Sequence, residues 1–345
     1  MNYKLLSVSK NVPAVNIGDY VQALASSQFY PHVDGFVERD ELSLYDGDEC
    51  GVIMNGWYMA NPENWPPSEK IKPLFVAFHV NSKAKAAMMS PQSIAYLKRY
   101  EPIGCRDTYT RDMLIKNNIN AYFSGCMTLT LGLKYHSEKK DNKVYFVDPF
   151  FITHWNFWSI IKGVVYLATH FRPIAKIAKK HPEHKSFLRK CMILTGFYRE
   201  YSKFFSKKLL VDAEYICQQD TSYNKNFITN EELLNEAEHL VKKYARAGLV
   251  VTSRIHCALP CLGLNTPVIF IEDANQSEAS ACRFGGLKEL FNAMEWKNGN
   301  LIPNFDVKKI VTLENYPKNK PDWHSYCEIL NRRCKEFIEG EKKQL

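Results

Sequence analysis

The chain has 345 residues, of which 46% are hydrophobic and 13% aromatic, so it can bury large cores, and long disordered stretches are excluded. Its net charge is +8, but residues 151–210 hold 12 Lys and Arg against 2 acids, so the rest is close to neutral and nucleic acid is not an expected partner. The apolar run between Lys4 and Lys10 is too short for a signal peptide, which predicts a cytoplasmic protein with reduced thiols. The cysteines lack the spacing of metal ligands, so no metal site is predicted.

Strands alternate with helices in the first part of the chain, the order that gives a mostly parallel sheet covered on both faces. The predicted strands are 3–9, 52–54, 73–80 and 102–105, and the predicted helices are 20–29, 91–100 and 110–118. We place the end of this unit near residue 135, before a polar linker at 136–143.

The same order returns in the second part. Strands are predicted at 144–150, 213–219, 249–253 and 267–272, with a helix that starts at an Asn230 cap and stops at Gly248. The sequence therefore predicts an α/β protein of two domains that face a cleft, where loops from the carboxyl ends of strands gather. Their bounds are 1–135 for the first, 136–300 for the second with a basic aromatic insertion at 151–210, and 301–345 for a C-terminal helical tail.

A polar motif follows the predicted strand at 249–253. Ser253, Arg254 and His256 precede an apolar helix, and alternation around an apolar residue would point the Arg and His side chains to one side. Arginine can hold phosphate or carboxylate through two parallel hydrogen bonds, and histidine can exchange a proton near neutral pH. The alternative is a structural arginine in a salt bridge beside a core histidine.

A second motif follows the strand at 102–105. Arg106 would reach the same cleft from the first domain, with Asp107 holding its guanidinium in place. Thr108 or Thr110 would cap the following helix. A purely structural role for the Arg-Asp pair is the alternative.

The first strand-to-helix turn contains Asn16, Gly18 and Asp19. The glycine permits close backbone approach, and the aspartate could cap the helix or bind a sugar hydroxyl. This turn lacks the glycine spacing of a dinucleotide site, so no nicotinamide or flavin cofactor is expected. Asn55 and Gly56 predict a further tight turn whose amides could approach a ligand, or which serves topology alone.

Together these segments resemble the polysaccharide pyruvyl transferase family over most of the chain, apart from the basic segment. The matching residues are Asn16 to Asp19, Asn55 and Gly56, Gly104 to Asp107, Ser124 and Gly125, Ser253 to His256, and Thr266 to Val268. The resemblance implies two Rossmann-like domains facing a cleft, as in GT-B glycosyltransferases. It also implies phosphoenolpyruvate as donor and, as acceptor, a sugar of a cell-surface polysaccharide (capsule or exopolysaccharide) or its lipid-linked precursor.

By the same resemblance, Arg254 and His256 contact the donor, Arg106 supplies a second cation, and Arg283 stands where many relatives have a lysine. We hypothesise that Arg254 and Arg106 hold phosphate and carboxylate while His256 is the general acid or base, with no cofactor or metal required. The competing interpretations are a nucleotide-sugar glycosyltransferase of similar architecture and a non-catalytic relative.

The basic segment, residues 151–210, interleaves cations with aromatic residues. Its longest apolar stretch is interrupted by Lys162 and is shorter than the ~20 residues that span a membrane. An interfacial helix could bind anionic lipid at the inner face of the membrane, close to a lipid-linked acceptor. A solvated basic insertion packed on the second domain is the alternative.

Overall fold

The computed structural model describes most of the chain. The described residues are 1–9, 12–151, 157–182, 185–276, 281–298, 300–307 and 309–342. They form a mixed α/β protein in which several parallel sheets are covered by helices. No helix among these residues combines the length and apolar character needed to cross a bilayer.

The first half of the chain builds parallel sheets from short strands. These are β1 (Asn2–Tyr3), β2 (Leu5–Ser7), β3 (Val15–Asn16), β4 (Phe36–Glu38), β5 (Cys50–Ile53), β6 (Gly56–Tyr58), β7 (Ile71–Leu74), β8 (Phe78–Val80), β9 (Ile103–Cys105) and β10 (Ala121–Phe123). The parallel groups are β1-β5-β7, β2-β4 and β10-β9-β8-β6. A backbone hydrogen bond from Gly104 N in β9 to Phe75 O, directly after β7, measures 3.0 Å and connects two of these groups.

Helices cover these strands. They are α1 (Ile17–Ser27), α2 (Lys85–Met88), α3 (Pro91–Lys98), α4 (Thr108–Lys116) and α5 (Gly132–Tyr135). Helix α1 begins three residues before the predicted start at Tyr20, because the Asn16 side chain accepts a hydrogen bond from Gly18 N (3.1 Å) and caps the helix. Asp19 lies inside the first turn and is not the cap.

The second half forms one six-stranded sheet of order β12-β11-β14-β15-β16-β17, parallel except for the last pair. Its strands are β11 (Val144–Val147), β12 (Glu214–Ile216), β14 (Leu249–Thr252), β15 (Val268–Asp273), β16 (Asn292–Lys297) and β17 (Asn300–Pro303). A separate strand, β13 (Gln219–Asp220), pairs antiparallel with β3, which joins the two halves beside Asn16. Strand β17 crosses the predicted boundary at residue 300, so the segment after it is not wholly helical.

The basic segment is helical, as predicted, and lies between β11 and β12. Its helices are α6 (Phe157–Thr169), α7 (Phe171–Lys180), α8 (Phe187–Tyr201) and α9 (Lys207–Asp212). Residues 152–156 and 183–184 lie outside the described part of the chain. Several of its apolar side chains, including Ile174, Phe197 and Leu210, are buried against the second sheet, so one face of the segment is part of the core.

The remaining helices are α10 (Thr221–Asn226), α11 (Asn230–Arg246), α12 (Ile255–Gly263) and α13 (Trp323–Lys342). The cap of α11 is Thr229, not Asn230, and its hydroxyl and the Glu232 carboxylate form a reciprocal capping box. One hydrophobic core joins α1, α11, α12 and α13, including Val21, Leu240 and Leu259. The two halves are therefore packed together through helices, and α1 and α12 meet beside the strand ends.

The predicted tight turn at Asn55 and Gly56 is wrong. The chain continues as a strand, since β6 starts at Gly56 and pairs with β8. Gly56 has a φ of +149°, a conformation that residues with a Cβ rarely adopt. The Asn55 side chain is buried, accepting from Ser26 Oγ (2.9 Å) and donating to Gln22 O (3.0 Å), so it fixes α1 on the sheet.

Candidate functional site

A cavity of about 940 Å³ lies where the N-terminal ends of α1 and α12 meet the carboxyl ends of β14 and β15. Seven of the predicted site residues line it: Asn16, Asp19, Arg106, Ser253, Arg254, His256 and Arg283. The structure thus brings side chains from both halves of the chain to one place. Gly18, Asn55 and Gly56 do not line the cavity, and the last two have structural roles.

Arg254 is held by an aspartate that the sequence did not single out. Its Nε donates to Asp148 Oδ2 at 2.8 Å, and Nη1 donates to Gln219 Oε1 at 3.2 Å. Asp148 follows β11, and its Oδ2 also accepts from the backbone N of Gln218 (2.8 Å). Ser253 Oγ donates to the backbone carbonyl of Asp148 at 2.5 Å, so Ser253 also helps to fix the position of Asp148. The carboxylate restricts the rotation of Arg254 while leaving about a third of its side chain exposed.

His256 lies in the first turn of α12, and its side chain is almost fully buried. Its Nε2 has no hydrogen-bond partner in the part of the chain that the structure describes. Burial, and then the positive charges of Arg106, Arg283, Arg39 and Arg254, hold the pKa of His256 well below its usual range. The imidazole is therefore neutral at pH 7 when the cavity holds no anion.

Gly18 supports this histidine by having no side chain. A Cβ built on Gly18 would lie 3.0 Å from His256 Cβ and 3.3 Å from its Nδ1, closer than ordinary van der Waals contact. The glycine therefore allows α1 to approach α12 and sets the position of the imidazole, and it does so without lining the cavity.

Arg106 is buried at the end of β9. Its Nη1 donates to Gln22 Oε1 at 3.4 Å, and its Nε has no hydrogen-bond partner among the described residues. The prediction that Asp107 holds this arginine is wrong: its carboxylate caps α4 through Thr110 N (2.9 Å) and contacts His79 Nδ1 (2.5 Å). That role also displaces Thr108 and Thr110 as caps.

Arg283 lies in a 3₁₀ turn after β15, with its guanidinium 4.9 Å from the Phe284 ring centroid. Burial, and then Arg106 and Arg254, lower the pKa of Arg283. Within the described residues, no carboxylate lies within 4 Å of the Arg106 or the Arg283 guanidinium. Positive charge at this cavity is thus only partly neutralised by the protein.

Arg39 is a further arginine at the cavity. Its Nη1 lies 3.5 Å from Asp19 Oδ1 and its Nη2 lies 3.4 Å from Asp40 Oδ2, so two carboxylates neutralise it. Its guanidinium carbon lies 5.4 Å from the centroid of the Trp57 ring, and this half-buried indole also lines the cavity. The sequence signal that could have identified Arg39 is an Arg-Asp pair directly after a strand, because such a pair follows β4 as another follows β9.

Acidic and histidine side chains do not gather into a metal centre here: across the described ranges, no group of three or more His, Cys, Asp or Glu residues is placed to hold an ion. The arrangement can instead bind an anion with several charges beside a neutral imidazole.

No curated protein and no solved structure matches this chain. A sequence model of the family described as polysaccharide pyruvyl transferase matches residues 16–275, which include the Asn16 cap, both arginine motifs and His256. The match extends over more than half of the sequence and includes cavity residues from both halves, although Arg283 lies beyond it. The chain therefore belongs to the polysaccharide pyruvyl transferase family and is a transferase of polysaccharide biosynthesis.

Proposed function

We propose that this protein moves the pyruvyl group of phosphoenolpyruvate onto a sugar of a cell-surface polysaccharide, a capsule or an exopolysaccharide, or of its lipid-linked precursor, as a ketal. The observation that carries the proposal is the set of three guanidinium groups, from Arg106, Arg254 and Arg283, around the buried imidazole of His256. Phosphoenolpyruvate carries a carboxylate and a phosphate on one small carbon skeleton, which matches several fixed cations in a confined space.

The residue types at the cavity support a sequence of steps in which the proton that His256 donates is replaced by one from the acceptor sugar. Protonated His256 donates to the methylene carbon, which becomes a methyl group, while a first sugar hydroxyl bonds to the enol carbon and its proton passes to the imidazole. A second hydroxyl of the same sugar then bonds to this carbon as the bond to the phosphate oxygen breaks. Phosphate leaves with the second hydroxyl proton, and Arg106 and Arg283 stabilise its charge. Neither a cofactor nor a metal is needed.

The donor itself supplies the condition under which His256 becomes an acid. In the free protein, burial and then the surrounding arginines lower the pKa of His256 and keep the imidazole neutral. A bound trianion neutralises these arginines, which raises the pKa of His256 and allows it to take up a proton. Proton uptake and donor binding are then coupled.

The acceptor sugar would pack on Trp57. The indole lines the same cavity, and pyranose rings present apolar C–H groups that suit an aromatic face. Asp19 and Glu272 also line the cavity and offer carboxylate oxygens for sugar hydroxyls, although Arg39 and Lys288 already neutralise them.

The two sets of parallel strands support the arrangement of two Rossmann-like domains facing a cleft, as in GT-B enzymes, with the donor between the strand ends. A cytoplasmic location suits both phosphoenolpyruvate and a precursor carried on lipid at the inner face of the membrane.

The test is to incubate the protein with phosphoenolpyruvate and candidate glycans and to measure phosphate release together with product mass. We expect a ketal product, and we expect His256→Ala to lower turnover by about 10²-fold or more while remaining folded. A thermal-shift comparison separates the donor classes, since a bound donor stabilises the native state. Stabilisation by nucleotide sugars but not by phosphoenolpyruvate would refute the proposal in favour of a glycosyltransferase, and stabilisation by neither would favour a non-catalytic relative.

A further inference from the structure

Helix α6 presents an apolar stripe to solvent. The side chains of Ile160, Ile161, Val164 and Val165 are 42%, 41%, 57% and 62% exposed. Their spacing places them on one face of the helix, while Tyr166, on the other side, packs against the core of the second half. Aliphatic side chains of this size are usually buried, so the stripe needs a partner.

Positive charge accompanies this stripe. Residues 157–180 contain five Lys and Arg and no Asp or Glu. Lys162 is exposed beside the stripe, and Arg172, Lys176 and Lys179 are exposed on α7. A single residue, His170, separates the two helices, and the ten residues of α7 rise about 15 Å, so these cations lie within that distance of the end of α6.

The other face of the segment has a structural role and needs no ligand. Ile174 and Ile177 of α7 and Leu194 of α8 are fully buried against the second sheet. The helices are thus fixed on the body of the protein with the apolar stripe and the cations outside. A fixed amphipathic surface loses little conformational freedom on binding.

We infer that α6 and α7 dock the protein onto an anionic lipid bilayer, with the α6 stripe in the headgroup region and the α7 cations against lipid phosphates. Thirteen residues of helix are too short to span hydrocarbon, but they suffice to lie in the interface. A second copy of the chain is a poor partner, because its own five cations would meet the same charge. Residues 157–180 contain no acid that would attract a basic partner either.

Docking is independent of pyruvyl transfer and is measured without any substrate. The full-length protein is floated on a density gradient with vesicles of phosphatidylcholine alone or of an equal mixture of phosphatidylcholine and phosphatidylglycerol. We expect flotation with the anionic vesicles only, and weaker flotation in high salt, because the attraction between cations and headgroups is screened.

Two variants separate the apolar and the electrostatic contributions. I161E/V164E should lose binding by roughly tenfold or more, since charged residues replace the stripe. R172Q/K176Q/K179Q should lose roughly fivefold in partition coefficient for each cation removed. All these positions are exposed, so the variants should keep the wild-type melting temperature.

The matched control is I115E/L133E, which places the same change at two exposed aliphatic residues of α4 and α5. It should float like the wild type. Equal flotation of I161E/V164E and wild type, or equal binding to neutral and anionic vesicles, would overturn the inference. So would a wild-type dimer, seen by light scattering, that I161E/V164E converts to a monomer, because a second copy would then cover the stripe.

Discussion

Replacing Gly18 with alanine tests whether the contact between α1 and α12 positions the imidazole of His256, the group we propose as the acid. The new Cβ would lie 3.0 Å from His256 Cβ, 3.3 Å from His256 Nδ1 and 3.1 Å from Asn16 Oδ1, so neighbours must move by a few tenths of an ångström. Such overpacking costs about 1–3 kcal/mol. Alanine in a helix is favoured over glycine by up to about 1 kcal/mol, which leaves a net destabilisation of roughly 0–2 kcal/mol.

Turnover should suffer more than stability. A misplacement of 1 Å can cost about 10²-fold in rate, so a shift of a few tenths should lower kcat by roughly five- to tenfold. The assay measures kcat for phosphate release with phosphoenolpyruvate and an acceptor, beside the midpoint of urea unfolding.

The matched control for Gly18→Ala is Gly340→Ala on α13, where a built Cβ would have no atom within 4 Å apart from its chain neighbours and the backbone of its own helix. It should keep kcat and gain slightly in stability. Wild-type kcat in Gly18→Ala would refute the positioning role. A kcat that falls only because the variant is largely unfolded under assay conditions would refute the estimate of stability.

Four further outcomes follow from the cavity. Arg283→Met removes a guanidinium without a described carboxylate partner, so calorimetry should show phosphoenolpyruvate binding roughly 10- to 100-fold more weakly, while thermal unfolding shows no loss of stability. Asp148→Asn removes the charge that orients Arg254 and should lower kcat/KM by about tenfold in steady-state assays. Trp57→Ala should raise the acceptor KM by about tenfold and leave the calorimetric Kd of phosphoenolpyruvate unchanged. The pKa of His256 is lowered in the free protein, and our proposal requires a bound donor to raise it, so kcat/KM should fall with rising pH at a lower pH than kcat does. A single step common to both pH profiles would contradict this.

The pKa of His256 also affects stability. As the pH falls, a histidine whose pKa is depressed in the folded state takes up its proton first in the unfolded chain. The contribution of His256 to the free energy of unfolding is therefore fully present above pH ~6.5 and is lost as the pH falls below that value. His256→Asn should therefore lose less stability than the wild type between pH 7.5 and pH 5.5.

Local sequence patterns predicted the elements and the residues at strand ends. Continuous apolar segments became buried strands, and the motif containing Arg254 and His256 lies at the carboxyl end of β14, where an open parallel sheet places ligands. The sequence predicted turn and cap residues less accurately. Asn55 and Gly56 have the composition of a turn, but the strand pairing with β8 overrides it. The predicted cap of α11, Asn230, was wrong by one residue, and the glutamate three residues after Thr229 is the sequence signal for the capping box that forms.

Partners distant in the sequence could not be predicted. Arg254 and Asp148 are 106 residues apart, and Arg106 and Gln22 are 84 apart, so only the folded chain brings them together. The expectation that Asp107 holds Arg106 failed for the same reason. The Asp107 carboxylate contacts His79, which lies 28 residues earlier in the chain. Patterns of one segment report its own periodicity and its caps, whereas contacts between segments depend on how the sheets are assembled.

The charges at the cavity account for the neutral imidazole of the free protein and support the ligand that we propose. Arg39 and Arg254 have carboxylate partners, whereas Arg106 and Arg283 have none within 4 Å among the described residues. Burying unpaired cations is costly, and the protein lowers that cost by keeping the imidazole of His256 neutral. A ligand with one negative charge would leave part of this excess uncompensated, whereas a trianion neutralises it and permits the imidazole to be protonated. The unpaired cations that are costly in the free protein are thus the groups that would favour phosphoenolpyruvate, the donor we propose, and would prepare the acid that its methylene carbon requires.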